Sequence, residues 1–242
     1  LGRVGETDAE ARREHAEHVA KFGLAAFNNL YRRLVSVTED VDDPSWFVWD
    51  VFIDTGDSET LTEQSAGTDG AGVIEVFAQV FGGFGTPGDG TAGDSMADVL
   101  REFLVAGVQV ESSGTPIVHT SVDSKGNEHS YEFTEANLDV VDMTFNLTTN
   151  SEYPSDGDAR VIAAAMLQPP LTYEDSAGVF VAKFGYPVVV SQIACQVVDQ
   201  VPGIDDMELL VGLNGGLESP LDIEIARNSC AVYRVDEVVV NS

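Results

Sequence analysis

Basic side chains are scarce in this chain. Twelve Lys and Arg stand against 41 Asp and Glu, a formal charge of −29, and only three of the twelve are lysines: Lys21, Lys125 and Lys183. Nucleic-acid binding is excluded over most of the length, because phosphate contacts need clustered Lys and Arg. Cysteine is scarcer still. Cys195 and Cys230 are too few for a disulfide framework or an all-cysteine metal site. Both sit in apolar, strand-like stretches and read as buried free thiols. A single disulfide, within the chain or between subunits, stays open, because spacing alone does not bring two Cα atoms within bridging distance. No apolar run approaches the ~18 residues of a membrane-spanning helix. No secretory signal opens the sequence. The first residue is Leu1 rather than Met, so residues are expected to be missing ahead of it.

What is present suffices to fold. A highly charged chain that stays disordered is poor in apolar residues, whereas 43% of this one is hydrophobic and runs of Val, Ile, Leu and Phe recur to its end. The acid therefore belongs to the surface. Self-repulsion of such a charge weakens when salt shortens the Debye length to ~3 Å at 1 M, so concentrated salt is the expected environment. The surface resembles that of proteins from extreme halophiles, with an acidic mesophilic protein as the alternative. The charge is also unevenly laid out. Residues 1–37 hold six basic side chains (Arg3, Arg12, Arg13, Lys21, Arg32, Arg33) against five acids, leaving six bases and 36 acids for the other 205 residues.

Thr7-Asp8-Ala9-Glu10 reads as a capping box, and Ala16, Val19, Gly23, Phe27, Leu30 and Leu34 recur at spacings of three and four. They predict an amphipathic helix from Thr7 to about Val35, ended by Asp42-Asp43-Pro44. Residues 1–43 form a helical arm and residues 44–242 an acidic β-barrel or sandwich domain, with a Gly-rich loop insertion at about 54–95. Within that domain, Ser45 to Ile53 and Val73 to Phe81 are strand-like, and Ser95 caps one short internal helix carrying Met96, Leu100 and Phe103. From Thr115 the period is mostly two. Pro116 to Val122 and His129 to Thr134 flank a hairpin turn at Ser124-Lys125-Gly126-Asn127, and Val141, Met143, Phe145 and Leu147 alternate with polar partners. Further strands are expected at Val161 to Leu167, Val179 to Val190, Ile193 to Val198, Glu208 to Leu213, Leu221 to Ile225 and Ala231 to Val240. The fold class is mainly β: a jelly roll or β-sandwich of about 8–10 antiparallel strands with the N-terminal helix.

Candidate chemistry is sparse. Glu14, His15, Glu17 and His18 crowd one stretch of the arm, but the histidines stand three apart rather than four and no third ligand is evident; a solvated helix face explains them. The run from Gly82 to Gly90 lacks the Gly-Lys-Ser/Thr ending of a phosphate loop, carries Asp89, and reads as a flexible loop. No serine stands in Gly-x-Ser-x-Gly. His119 and His129 fall on the two strands of one hairpin, where cross-strand neighbours are conceivable and surface polar residues the plainer reading. Asp40-Asp42-Asp43, Asp54-Asp57-Glu59 and Asp205-Asp206 lack the spacing of an EF-hand and suit weakly bound salt cations. Asn146-Leu147-Thr148 is a glycosylation sequon inside an alternating strand. No catalytic, cofactor or metal site is assigned.

The arm offers three roles: packing on its own domain, exchange with a neighbouring subunit, or lying on an anionic membrane surface. A helical arm ahead of an acidic all-β body, with a halophile's surface and no catalytic motif, resembles the vertical single jelly-roll major capsid proteins of icosahedral, internal-membrane viruses of halophilic archaea. That resemblance implies a non-enzymatic virion protein. Its partners would be copies of itself, other virion proteins and, through the arm residues Phe27, Leu30, Tyr31, Arg32, Arg33 and Leu34, neighbouring subunits or the internal membrane. The acidic body would bind no nucleic acid. A tail-tube or head-decoration protein and a cupin-like halophilic enzyme are the alternatives.

Overall fold

A computed structural model describes residues 28–39, 44–54, 72–104, 108–166, 172–174 and 180–241. The chain divides into two compact units, Leu1–Glu135 and Ala136–Ser242. Where composition suggests one domain over 44–242, the division falls at Glu135-Ala136-Asn137, which carries no Pro, Gly or change of charge to mark it. Among the described residues the protein is mainly β, with two mixed sheets and four helices.

The first unit begins with helix α1 (residues 28–34); the rest of the helix expected from Thr7 lies outside the described residues. Then follow β1 (Phe47–Asp54), β2 (Gly72–Phe81), α2 (Ala92–Phe103), β3 (Val108–Val110), β4 (Ile117–Val122) and β5 (Glu128–Glu135). The sheet order is β1-β2-β5-β4, with β3 also on β2. Central strand β2 is the strand expected at Val73 to Phe81, lying within the 54–95 stretch otherwise expected to be a Gly-rich insertion. A bulge at Trp49 interrupts β1, so that Val48 and Asp50 face Val80 and Gln79 in succession. Helix α2 starts earlier than expected, at the Thr91 N-cap, whose capping box is completed by Asp94. Its buried side, Ala92, Met96, Ala97 and Leu100, joins Leu30, Leu34 and the inward residues of β1 and β2 in one core.

The second unit contains β6 (Asn137–Thr149), α3 (Gly157–Met166), β7 (Thr172–Glu174), β8 (Phe180–Phe184), α4 (Val190–Gln200), β9 (Ile204–Leu213) and β10 (Ser229–Asn241). Its sheet runs β7-β8-β10-β6-β9. As the alternation predicted, Val141, Met143, Phe145 and Leu147 of β6 are each 0% exposed. They share a core with Val161 and Ala165 of α3 and Ile193 and Val197 of α4, so the helices cover the apolar face of the sheet.

Several expectations are corrected here. Val161 to Leu167 and Ile193 to Val198 are helices rather than strands: short apolar runs fit either period, and Val161/Ala165 and Ile193/Val197 are paired at i, i+4. Strand structure expected from Val179 to Val190 stops at Phe184, because Gly185 takes φ +62°. Leu221 to Ile225 contributes a single bridge, Val188 to Ile223. The strands are not all antiparallel, since β2 pairs parallel with β3 and β5, and β6 with β10. The helices misread as strands lie between β6 and β10 in the chain, which is where a crossover between parallel strands needs them.

Candidate functional site

The densest polar constellation lies between α2 and β4. Period-two alternation turns His119 and Ser121 of β4 to the same inner side, and helical spacing places Asp94, Asp98 and Arg101 on one side of α2. His119 is 0% exposed, and its Nδ1 donates to Asp94 Oδ1 at 2.8 Å. Asp94 also receives the backbone N–H groups of Gly88 (2.9 Å), Gly90 (3.0 Å) and Thr91 (3.3 Å) on Oδ2. Burial tends to raise this carboxyl, but the bonds from His119, Gly88, Thr91 and Gly90 outweigh it, leaving the pKa below the ordinary carboxylate range. The glycine-rich run expected to be a flexible loop is therefore tied at two of its amides, Gly88 and Gly90, and at the adjoining Thr91 to one carboxylate.

Two residues along β4, Arg101 Nε donates to Ser121 Oγ at 2.7 Å, and that hydroxyl donates to Asp98. Ser, His and Asp are thus near one another but not joined as a relay, because the Ser121 hydroxyl serves Asp98 while His119 serves Asp94. His119 Nε2 takes no hydrogen bond among the described residues and is turned toward Gly93, where an added Cβ would lie 2.2 Å from it. The arrangement acts as a latch fixing α2 and its preceding loop on the sheet. The β4–β5 register sets Tyr131, not His129, opposite His119. His129 is exposed, with Nε2 3.5 Å from Asp123.

A second polar group surrounds Glu75, whose Oε1 accepts from Thr134 Oγ1 (2.6 Å), Ser113 N (2.9 Å) and Ser113 Oγ (3.0 Å). It borders a cleft of about 260 Å³ together with Asp54 and Glu111. No group of three or more His, Cys, Asp or Glu side chains among the described residues has metal-holding geometry.

In the second unit, α4 and β9 border a groove of about 450 Å³. Ala194, Val198, Ile204 and Met207 supply its apolar surface, Asp199, Asp205 and Asp206 its acid, and Cys195 a thiol. Elsewhere in this unit, Asp142, 3% exposed, is held by Arg234 (Nε 2.8 Å, a terminal guanidinium nitrogen 2.6 Å) and accepts the Gly215 N–H at 3.1 Å. Asn214, at φ +52°, accepts Val140 N at 2.8 Å and donates to Asp139 at 3.0 Å. These bonds brace a turn on which Leu217 is 99% exposed.

The residues singled out from sequence fall as follows. Leu30 and Leu34 are buried, at 1% and 0% exposure, in the core of their own unit, so packing on the home domain claims them. Tyr31 OH donates to Asp50 Oδ1 at 2.9 Å; burial first, then the Asp50 charge and hydrogen bond, push the phenol up to about 12. Arg32 is exposed, and the exposed Arg33 lays its guanidinium 4.9 Å from the centre of the Phe103 ring. Phe27, the Glu14–His18 cluster, Asp40-Asp42-Asp43, Asp57 and Glu59 lie outside the described residues. Cys195 and Cys230 are not bridged to one another; Cys230 is buried as expected, whereas Cys195 is exposed on α4. Asn146 of the sequon donates to Glu208 at 3.1 Å across the β6–β9 pair. Sequence reasoning missed the Asp94–His119 latch, although Thr91-x-x-Asp94 before an apolar run is a legible capping signature.

No protein-family model matches the chain, and neither does any curated protein.

Proposed function

We propose that this protein is a structural subunit of a virion from a high-salt environment, a capsid subunit that assembles with copies of itself through non-covalent contacts. The observation that carries this reading is Leu217, a leucine 99% exposed on a turn braced by Asn214 and Asp142 in a chain of net charge −29. A leucine this exposed, beside a turn tied down by hydrogen bonds at Asn214 and Gly215, is better suited to a partner's surface than to water. Leu221 (68%) and Leu138 (51%) add exposed apolar surface to the same unit.

The acidic exterior favours such contacts only where salt screens the repulsion between copies. Other virion proteins, and an internal membrane met through the arm, remain partners on this proposal. An upright single jelly roll, the finer architecture expected of such a subunit, uses antiparallel strands. The parallel pairings of β2 and β6 depart from it, so the proposal rests on surface chemistry rather than on that topology.

The test is solution mass by light scattering in molar KCl, with negative-stain imaging of the same sample, for the natural chain and for Leu217→Asp. Closed shells or capsomer-like oligomers that Leu217→Asp weakens are the expected result. Rings would move the assignment to a tail tube, and a compact monomer at every salt concentration would overturn assembly altogether.

A further inference from the structure

The groove between α4 and β9 offers an apolar surface with acid beside it: Ala194, Val198, Ile204 and Met207 together with Asp199, Asp205 and Asp206. Val198 is 47% exposed, and Cys195 is exposed as well. A partner that fits must be apolar along one side and basic along another.

The chain carries one stretch of that chemistry outside the described residues. Between Arg12 and Phe27 the sequence places Val19, Leu24 and Phe27 among three bases, Arg12, Arg13 and Lys21, and two acids, Glu14 and Glu17, a net charge of +1 in an otherwise strongly acidic protein. This stretch directly precedes α1, whose Leu30 and Leu34 are buried in the core of the first unit. Counted back from the start of α1 at residue 28, Val19 lies nine residues and Arg12 sixteen residues away, a reach of up to about 30 Å and about 53 Å when extended, enough to meet an adjoining molecule.

We infer that residues 12–27 of one copy dock in the α4–β9 groove of a second copy, with Val19, Leu24 and Phe27 against Val198, Ile204 and Met207 and with Arg12, Arg13 and Lys21 toward Asp199, Asp205 and Asp206. The mode is an apolar segment of small net positive charge laid into a complementary groove. It rests on the assembly reading above and names the contact that would link neighbours. Because the apolar contact survives screening while the ion pairs fade with added salt, docking should persist in concentrated salt and lose its dependence on the aspartates there.

Cys195 serves as a built-in reporter, since the second cysteine, Cys230, is buried. A full-length Val19→Cys/Cys195→Ser chain is mixed with the natural chain in molar KCl under mild oxidation, and non-reducing mass is read. A disulfide-linked pair can then form only between copies. Leu24→Cys/Cys195→Ser repeats the test at a second position. In parallel, maleimide labelling of Cys195 should be about tenfold slower in the full chain than in one lacking residues 1–27, the protection of a site covered nine-tenths of the time. The linked pair, slow labelling, and loss of both at moderate salt in Asp205→Lys/Asp206→Lys are the expected results. Assemblies that form without any cross-link overturn the docking and leave the assembly reading standing. A single-cysteine Val19→Cys chain that closes on its own Cys195 as a monomer overturns the second-copy occupant. Monomers at all salt concentrations overturn both.

Discussion

Gly93 and His119 meet where α2 crosses β4, and the contact leaves no room for a side chain: a Cβ at Gly93 would lie 2.2–2.4 Å from three atoms of the imidazole. Gly93→Ala must therefore displace the ring from Asp94, and we expect it to lower unfolding free energy by about 1–3 kcal/mol. Most of that loss should vanish in a His119→Ala background, a non-additivity measured by a urea-denaturation double-mutant cycle. Asp94 gives a pH signature as well. Its folded pKa lies below the unfolded value of ~3.9. The stability it contributes is therefore complete above about pH 5 and is lost as pH falls through the lower folded value. Asp94→Ala should cost about 1–3 kcal/mol at neutral pH, and the gap between the two proteins should close below about pH 4 in pH-dependent denaturation curves.

Helices α3 and α4 stand where alternating apolar residues suggested strands, and a substitution on their exposed side separates the two possibilities. Ala163 is exposed within α3. In a helix Ala163→Gly should cost about 1 kcal/mol and Ala163→Val about half that, whereas in a strand the valine would stabilise. Thermal melts of the two variants, ordered natural > Val > Gly, would bear out the helix; Val above the natural chain would refute it. The same misreading hid the parallel pair. With α3 and α4 taken as strands, no helix was left to serve as a crossover, and an antiparallel array followed. Once both are helices, they stand in the chain between β6 and β10 as a crossover connection, and these two strands run side by side in parallel.

For the whole chain the dominant quantity is the −29 formal charge. Moving from molar to dilute salt lengthens the Debye length from ~3 Å to about 10 Å and restores repulsion among acids spread over the surface. We expect a loss of roughly 3–5 kcal/mol, a fall in Tm of about 6–20 °C at roughly 2–4 °C per kcal/mol for a chain of this length. Calorimetry across a KCl series checks it, and an unchanged Tm would remove the high-salt reading and with it the environmental half of the proposed function.

Composition and periodicity by themselves determined the acidic exterior, the β4–β5 hairpin, the alternation of β6 and the strands β1, β2, β9 and β10, because each depends on residues adjacent in sequence. The turn at Asp123–Asn127, for instance, is held by Asp123 accepting Lys125 N and Asn127 N at 2.8 and 2.9 Å. Tertiary structure alone decided the rest. Whether Val161, Ala165, Ile193 and Val197 sat on a strand or a helix turned on the sheet face they cover. Leu30 and Leu34 satisfied a docking stripe and a core equally well until β1, β2 and α2 closed around them. His119 became a latch only because Asp94, 25 residues earlier in the chain, arrives within 2.8 Å of it. Each outcome is set by which distant surface removes a side chain from water, and local periodicity carries no record of that.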